Sequence, residues 1–282
     1  MTASAATLAS GKGHKDENFP VASFMLKREH RAPVMAFYHF ARAADDVADN
    51  EQAPAAERLA LLGAMRSTLA GTSDTSAEAL ALRGVLADYK LSPQHGLDLL
   101  TAFEQDCTVN RCATWDALIN YCRVSAMPVG RYVLDVHHED RSTWAASDAL
   151  CAALQVINHL QDCGKDYRAI NRVYVPMDML AAAGADVTEL GAARSSPALR
   201  SVIVAMAERT LDLLAQSSVF SAQIRDKRLA VEVAIIQRLA ESLTRRLITH
   251  DPLSERVHHH KAEMAGLAAW AALKELGKRL AA

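Results

Sequence analysis

Apolar residues recur at spacings of three and four along almost the whole chain, with no convincing run of alternating β-branched residues. That period belongs to amphipathic α-helices, so an all-α fold is expected. Pro20 and Pro33 bracket a short helix around Phe24, and Pro33 suits the first turn of the next helix, which runs to about Asp49. Helices follow near 54–70 and 76–89, parted by Gly71-Thr72-Ser73-Asp74. Ser92-Pro93 opens another, to about Cys107. A long helix starts at Thr114-Trp115-Asp116 and passes Tyr132, with Pro128 and Gly130 kinking or loosening it. Ser142-Thr143 caps the next. Residues 172–176 read as an extended loop, 180–197 as a flexible connection, and 198–220, 226–249 and 254–280 as three closing helices. Around Leu267, Trp270, Leu273 and Leu276 the last of these is expected to pack into the core rather than lie at an interface.

No internal linker or solenoid period divides the chain. The expected organisation is a loose tail over 1–16 and a single domain over 17–282. The 282 residues are 50% hydrophobic and 23% charged, ample for a buried core. A net charge of −2 gives no basic excess, so nucleic acid is not an expected partner. The five cysteines form no CxxC pair, which argues against a disulfide framework or zinc site and for a reducing cytoplasm. No apolar run approaches the ~18 residues of a spanning helix. Gly11-Lys12-Gly13 is too short to be a nucleotide loop.

Two stretches interrupt this picture. Tyr38-His39-Phe40-Ala41-Arg42-Ala43-Ala44-Asp45-Asp46-Val47-Ala48-Asp49 carries Asp45 and Asp49 four residues apart; Asn158, Asp162 and Asp166 repeat that step. On a helix this spacing stacks carboxylates on one face, where like charges cost a few tenths of a kcal/mol. Both segments are otherwise apolar, and buried charge needs a partner. A hard divalent cation with oxygen ligands is the simplest one, and magnesium completes its shell with water and substrate phosphates. Arg42, Lys165, Arg172 and Arg256 are candidate phosphate partners. The blander readings are a solvated acidic face around Arg42 and a structural ion-pair network. His137-His138 and His258-His259-His260 lack a ligand partner at a convincing spacing, Cys163 reads as small filler, and no Gly-x-Ser-x-Gly elbow surrounds Ser125.

Taken together, Asp45-x-x-x-Asp49 preceded by Tyr38 and Arg42, the segment Tyr121–Gly130, Asn158-x-x-x-Asp162-x-x-x-Asp166 and Arg172-x-Tyr174-x-Pro176 resemble the squalene/phytoene synthase family over nearly the whole chain. The resemblance implies the class I isoprenoid synthase helical bundle with a central apolar cavity. It implies that Asp45, Asp49, Asn158, Asp162 and Asp166 hold Mg2+, with Asp46 assisting. It implies that Tyr38, Arg42, Lys165, Arg172 and Arg256 orient or bind the diphosphate. Phe19, Tyr121, Ser125, Val129, Gly130 and Tyr174 would then contact substrate. Glu17–Ser23, Ser125–Arg131 and Leu160-Gln161-Asp162-Cys163 are most similar to the branch forming hydroxysqualene in bacterial squalene and hopanoid biosynthesis. Many condensing members have arginine where Gln161 stands, and basic residues where this chain has Asp16, Glu17 and Asn18. Fewer cations suit one diphosphate rather than two. The implied reaction takes presqualene diphosphate and water to hydroxysqualene and diphosphate.

The rivals are a condensing synthase making presqualene diphosphate, squalene or phytoene, a catalytically inactive helical scaffold, and a lipid-binding module indifferent to magnesium. Transient contact with a membrane surface and with other squalene-pathway enzymes fits so apolar a substrate, and the cytoplasm, at the inner face of the membrane, is the expected location.

Overall fold

The computed structural model describes residues 27–50 and 52–281. The tail over 1–16, the helix expected around Phe24 and the candidate Phe19 lie outside the described residues. Within them every regular element is helical, apart from one isolated parallel bridge between Arg111 and Val173. The chain divides into two units, residues to Val109 with Val124–Asp140, and Asn110–Arg123 with Arg141 onward.

In the first unit α1 (Arg28–Ala48) packs against α2 (Ala55–Leu69), α3 (Ala77–Tyr89) and α4 (Gln94–Asp106). Helix α1 begins at Arg28, so Pro33 lies inside it rather than at its first turn. An interior proline removes a backbone hydrogen bond and typically costs ~3 kcal/mol. Tertiary packing offsets that cost. Pro33, Val34 and Phe37 are buried, the Phe37 ring stacks on Tyr132 at 4.0 Å, and the Tyr132 hydroxyl donates to the Pro33 carbonyl at 3.0 Å. At the far end, Arg58 Nη1 donates to the Ala48 carbonyl, satisfying an orphan acceptor of the last turn.

The boundary between the units falls inside α5 (Trp115–Ser125). The single long helix expected here is two helices, α5 and α6 (Met127–Val136), which break at Ala126 and put Pro128 in the first turn of α6. There the missing N–H costs nothing. His95 Nε2 lies 2.8 Å from Asp135 Oδ2 and ties α4 to α6.

The second unit is built on α7 (Trp144–Ile170), whose Val156, Ile157 and Leu160 are fully buried. Helix α7 packs on α9 (Pro197–Ser217), α9 on α11 (Lys227–Thr249), and α11 on α12 (Lys261–Ala281); α8 (Met177–Ala183) and the single turn α10 (Phe220–Gln223) complete it. Asn171 ends α7 in the left-handed conformation, φ 46°, and the Arg111 fork donates to its carbonyl and its Oδ1. Much of the expected flexible stretch is ordered into α8 and a 3-10 turn, Val187–Gly191. A capping box between Asp186 and Glu189 starts that turn.

The last helix starts at Lys261 instead of near 254, because the preceding residues are held as a loop. The Asp251 carboxylate accepts from the Ser195 amide at 2.8 Å and the Ser195 hydroxyl at 2.6 Å. Gln161 Nε2 donates to the Val257 carbonyl. Gly164 permits the approach, since a Cβ there would lie 2.5 Å from Leu253 Cδ2 and 3.2 Å from the Leu190 carbonyl oxygen. Core packing of α12 is not what its sequence produces. Trp270, Leu273 and Leu276 are 51, 71 and 46% exposed, while the face turned to the protein buries Ala271 and Glu275.

Candidate active site

Helix α1 carries the first acidic row on its last turns. Arg42 Nη1 lies 2.9 Å from Asp45 Oδ2 and Arg42 Nη2 lies 2.8 Å from Asp46 Oδ1, so one guanidinium spans two carboxylates. Asp46 is buried, Asp45 keeps 35% of its side chain accessible, and Asp49 is exposed at the helix end. Tyr38 sits one turn before Arg42, half-buried. Burial and the neighbouring Asp49 push the Asp45 carboxyl up to about 7. Arg42 opposes them, and Asp46 and Asp106 push the same way. Ser125 lies half-buried at the end of α5, and on α6 Val129 is exposed and Gly130 half-buried.

In the second unit Asn158, Asp162 and Asp166 run along α7 in consecutive turns, all half-buried. Lys165 Nζ is 3.8 Å from Asp162 Oδ1, with the lysine side chain well exposed. The loop pinned by Gln161 brings in Arg256 and His258. Burial, then Arg256 and Lys165, lower the proton affinity of His258, and Asp162 raises it. These four residues thus share one electrostatic neighbourhood. Arg172 is buried on the extended segment after α7.

Beside that row lies an aromatic group. The Tyr121 and Tyr174 hydroxyl oxygens are 3.3 Å apart, and the His159 ring stacks on Tyr174 with centroids 3.5 Å apart. Gln155 Nε2 is 3.1 Å from His159 Nε2. Burial and the charge of Arg172 hold the His159 imidazole down to about 3, so it is neutral at physiological pH and its Nε2 can accept the Gln155 amide proton. Cys163 is buried, and burial pushes its thiol up to about 12, in keeping with a filler role.

Among the described residues no three His, Cys, Asp or Glu side chains form a ready-made metal cage. The donors are hard oxygens, one or two per turn, which suits a magnesium ion whose other ligands are water and phosphate. Within the first unit the structure groups Tyr38, Arg42, Asp45, Asp46 and Asp49 on one helix. Within the second it gathers Asn158, Asp162, Lys165 and Asp166 on α7, with Arg256 and Asp162 both acting on His258. His159, Gln155 and Gly164 were not legible as site residues. His159 looks like one polar residue in an apolar run, and only the fold sets it against Tyr174.

An all-α chain with metal-suited acidic rows matches the class I isoprenoid synthase fold. Residues 12–263 match the model of the family described as squalene/phytoene synthase, and the chain belongs to that family. It is 60% identical over 274 residues to the hydroxysqualene synthase of Zymomonas mobilis, covering 96% of this chain and 92% of that protein. It is 53% identical over 255 residues to the hydroxysqualene synthase of Rhodopseudomonas palustris, covering 90 and 87%. A solved squalene synthase from Alicyclobacillus acidocaldarius aligns with a TM-score of 0.72 at 30% identity, covering 86% of this chain and 91% of that one. The chain is accordingly an enzyme of this family.

Proposed function

We propose that the chain converts presqualene diphosphate and water to hydroxysqualene and diphosphate, a step in squalene and hopanoid biosynthesis, with Mg2+ as cofactor. The observation that carries this reading is the pair of acidic rows, Asp45 and Asp49 at the end of α1 and Asn158, Asp162 and Asp166 along α7, whose hard oxygen donors suit magnesium. The similarity to two hydroxysqualene synthases supports the choice of reaction. Residues 17–282 would act as one domain.

Bound magnesium would supply positive charge to the departing diphosphate, held by Asp45 and Asp49 on α1 and by Asn158, Asp162 and Asp166 on α7. Tyr38, Arg42, Lys165, Arg172 and Arg256 would orient the diphosphate oxygens, where negative charge grows as the carbon–oxygen bond breaks. The electron pair leaves with the diphosphate and a cyclopropylcarbinyl cation remains. The faces of Tyr121 and Tyr174 are suited to stabilise it. Phe19, Ser125, Val129 and Gly130 complete the substrate contacts the family pattern implies. After rearrangement a water oxygen bonds to carbon and its proton passes to diphosphate or solvent. Neutral His159 can orient that water without adding a repelling positive charge.

Incubating the purified protein with presqualene diphosphate and magnesium tests this directly. Hydroxysqualene with one atom of labelled oxygen from solvent is expected, and intact substrate would reject the reading. A condensing synthase is the second reading, favoured by the description of the solved Alicyclobacillus relative as a squalene synthase. Product analysis with farnesyl diphosphate separates the two. The proposed location is the cytoplasm, with other squalene-pathway enzymes as neighbours. Among the described residues no helix is long and apolar enough to cross a membrane.

A further inference from the structure

The outward side of α12 is unlike any ordinary solvent-facing helix. At 100° per residue, Ala262, Ala269, Trp270, Leu273, Leu276 and Leu280 share one side, with the glycines at 266 and 277 among them, and all are exposed. Leu273 and Leu280 are 71 and 89% exposed. No charged or hydrogen-bonding side chain other than the indole of Trp270 lies on this arc. The polar residues of α12 sit instead toward the protein or at the edges. Glu275 is buried and accepts from Arg279 Nε at 2.8 Å and from the Ser221 hydroxyl at 3.1 Å. Arg279 Nη2 also donates to the Ser221 and Ile224 carbonyls, and near the other end Arg246 pairs with Glu263. Both ends of the helix are therefore clamped with the apolar side facing out. The family match ends at residue 263, so nearly all of α12 lies outside the segment it covers.

Cations rim this face. Lys274 and Lys278 border it on α12. Arg238 and Lys274 lie 5.1 and 4.8 Å from the centre of the Trp270 ring at one edge. The two acidic residues of α12 are both engaged by arginines. A second copy of the same face would set Lys274 and Lys278 against the same lysines, and the acids at the rim, Glu241 and Glu263, are already paired with Arg238 and Arg246. An apolar stripe with an interfacial tryptophan and a basic rim fits a bilayer bearing anionic headgroups.

We infer that α12 is a membrane-docking helix that lies in the plane of an anionic lipid surface, with Leu273 and Leu280 in the acyl boundary and Lys274 and Lys278 among the headgroups. This goes beyond the proposed reaction and does not depend on it.

The test is sedimentation of the full chain with two kinds of vesicle, phosphatidylcholine alone and phosphatidylcholine mixed with phosphatidylglycerol in about equal parts. Binding to the anionic vesicles should be about tenfold tighter or more, should weaken with salt, and should shift Trp270 emission to the blue. Leu273→Glu with Leu280→Glu should abolish co-sedimentation while leaving turnover of detergent-dispersed presqualene diphosphate unchanged. Lys274→Gln with Lys278→Gln should remove most of the anionic preference. A folded protein that ignores both vesicles overturns the inference. So does a dimer in light scattering that the glutamate pair dissociates, or one whose vesicle binding the glutamate pair leaves intact. Failure of the reaction assay with normal vesicle binding would reject only the proposed reaction.

Discussion

The side-chain amide of Gln161 donates to the main-chain carbonyl of Val257, fastening the loop before α12 to the helix that bears the second acidic row. The bond sets where Arg256 stands relative to Asp162. Gln161→Ala should loosen the loop, lower stability by about 1 kcal/mol and raise KM for the diphosphate more than it lowers kcat. Chemical denaturation and steady-state kinetics measure the two effects.

Stability of the metal-free protein should depend on the protonation of Asp45. Its folded value, about 7, lies above the ordinary 3.8, so folding favours the protonated carboxyl. That contribution is complete below the ordinary value and disappears as pH rises through about 7. In chelator the melting temperature should therefore fall across this window, and Asp45→Asn should flatten the fall. Magnesium should restore stability most at the alkaline end. Calorimetry across pH, with and without the ion, checks all three.

Replacing the carboxylates one at a time separates catalysis from folding. Asp162→Asn and Asp45→Asn keep the side-chain shape and should each lower kcat by about 10²-fold or more, with circular dichroism unchanged. A scaffold protein would tolerate both.

His159→Phe keeps a ring against Tyr174 but removes the acceptor for Gln155. The expected outcome is a product mixture with less hydroxylated and more unhydroxylated hydrocarbon, read by gas chromatography. Because His159 is held at about 3, the wild-type rate should show no inflection near pH 6.5 from this residue.

Gly164→Ala should destabilise by about 1–3 kcal/mol, since its methyl carbon would stand 2.5 Å from Leu253 Cδ2. A lowered melting temperature with unchanged helical content is the expected signature.

The helices were legible because apolar periodicity is a local signal, and so were the aspartates, whose four-residue step has meaning on any helix. What escaped depended on contacts distant in sequence. Pro33 reads as a helix start until Tyr132 and Phe37 are seen to hold it inside α1. Residues 254–260 contain no proline or glycine to stop a helix, yet Gln161 and Asp251 hold their stretch of chain as a loop. The stripe of Trp270, Leu273 and Leu276 has the pattern of a core face, and only the burial of Glu275 on the other side reveals its outward direction. His159 carried no mark at all until it was stacked on Tyr174.

Both acidic rows sit near the carboxyl ends of their helices, Asp45 and Asp49 where α1 stops at Ala48, and Asp162 and Asp166 in the last turns before Ile170. The peptide dipoles give those ends a partial negative charge, so Asp45, Asp49 and Asp166, the nearest to them, stand toward the unfavourable pole. A cation captured at either row is then attracted by the backbone as well as by the side chains, and its loss should fray that terminus, visible as faster amide hydrogen exchange there than elsewhere along the same helix.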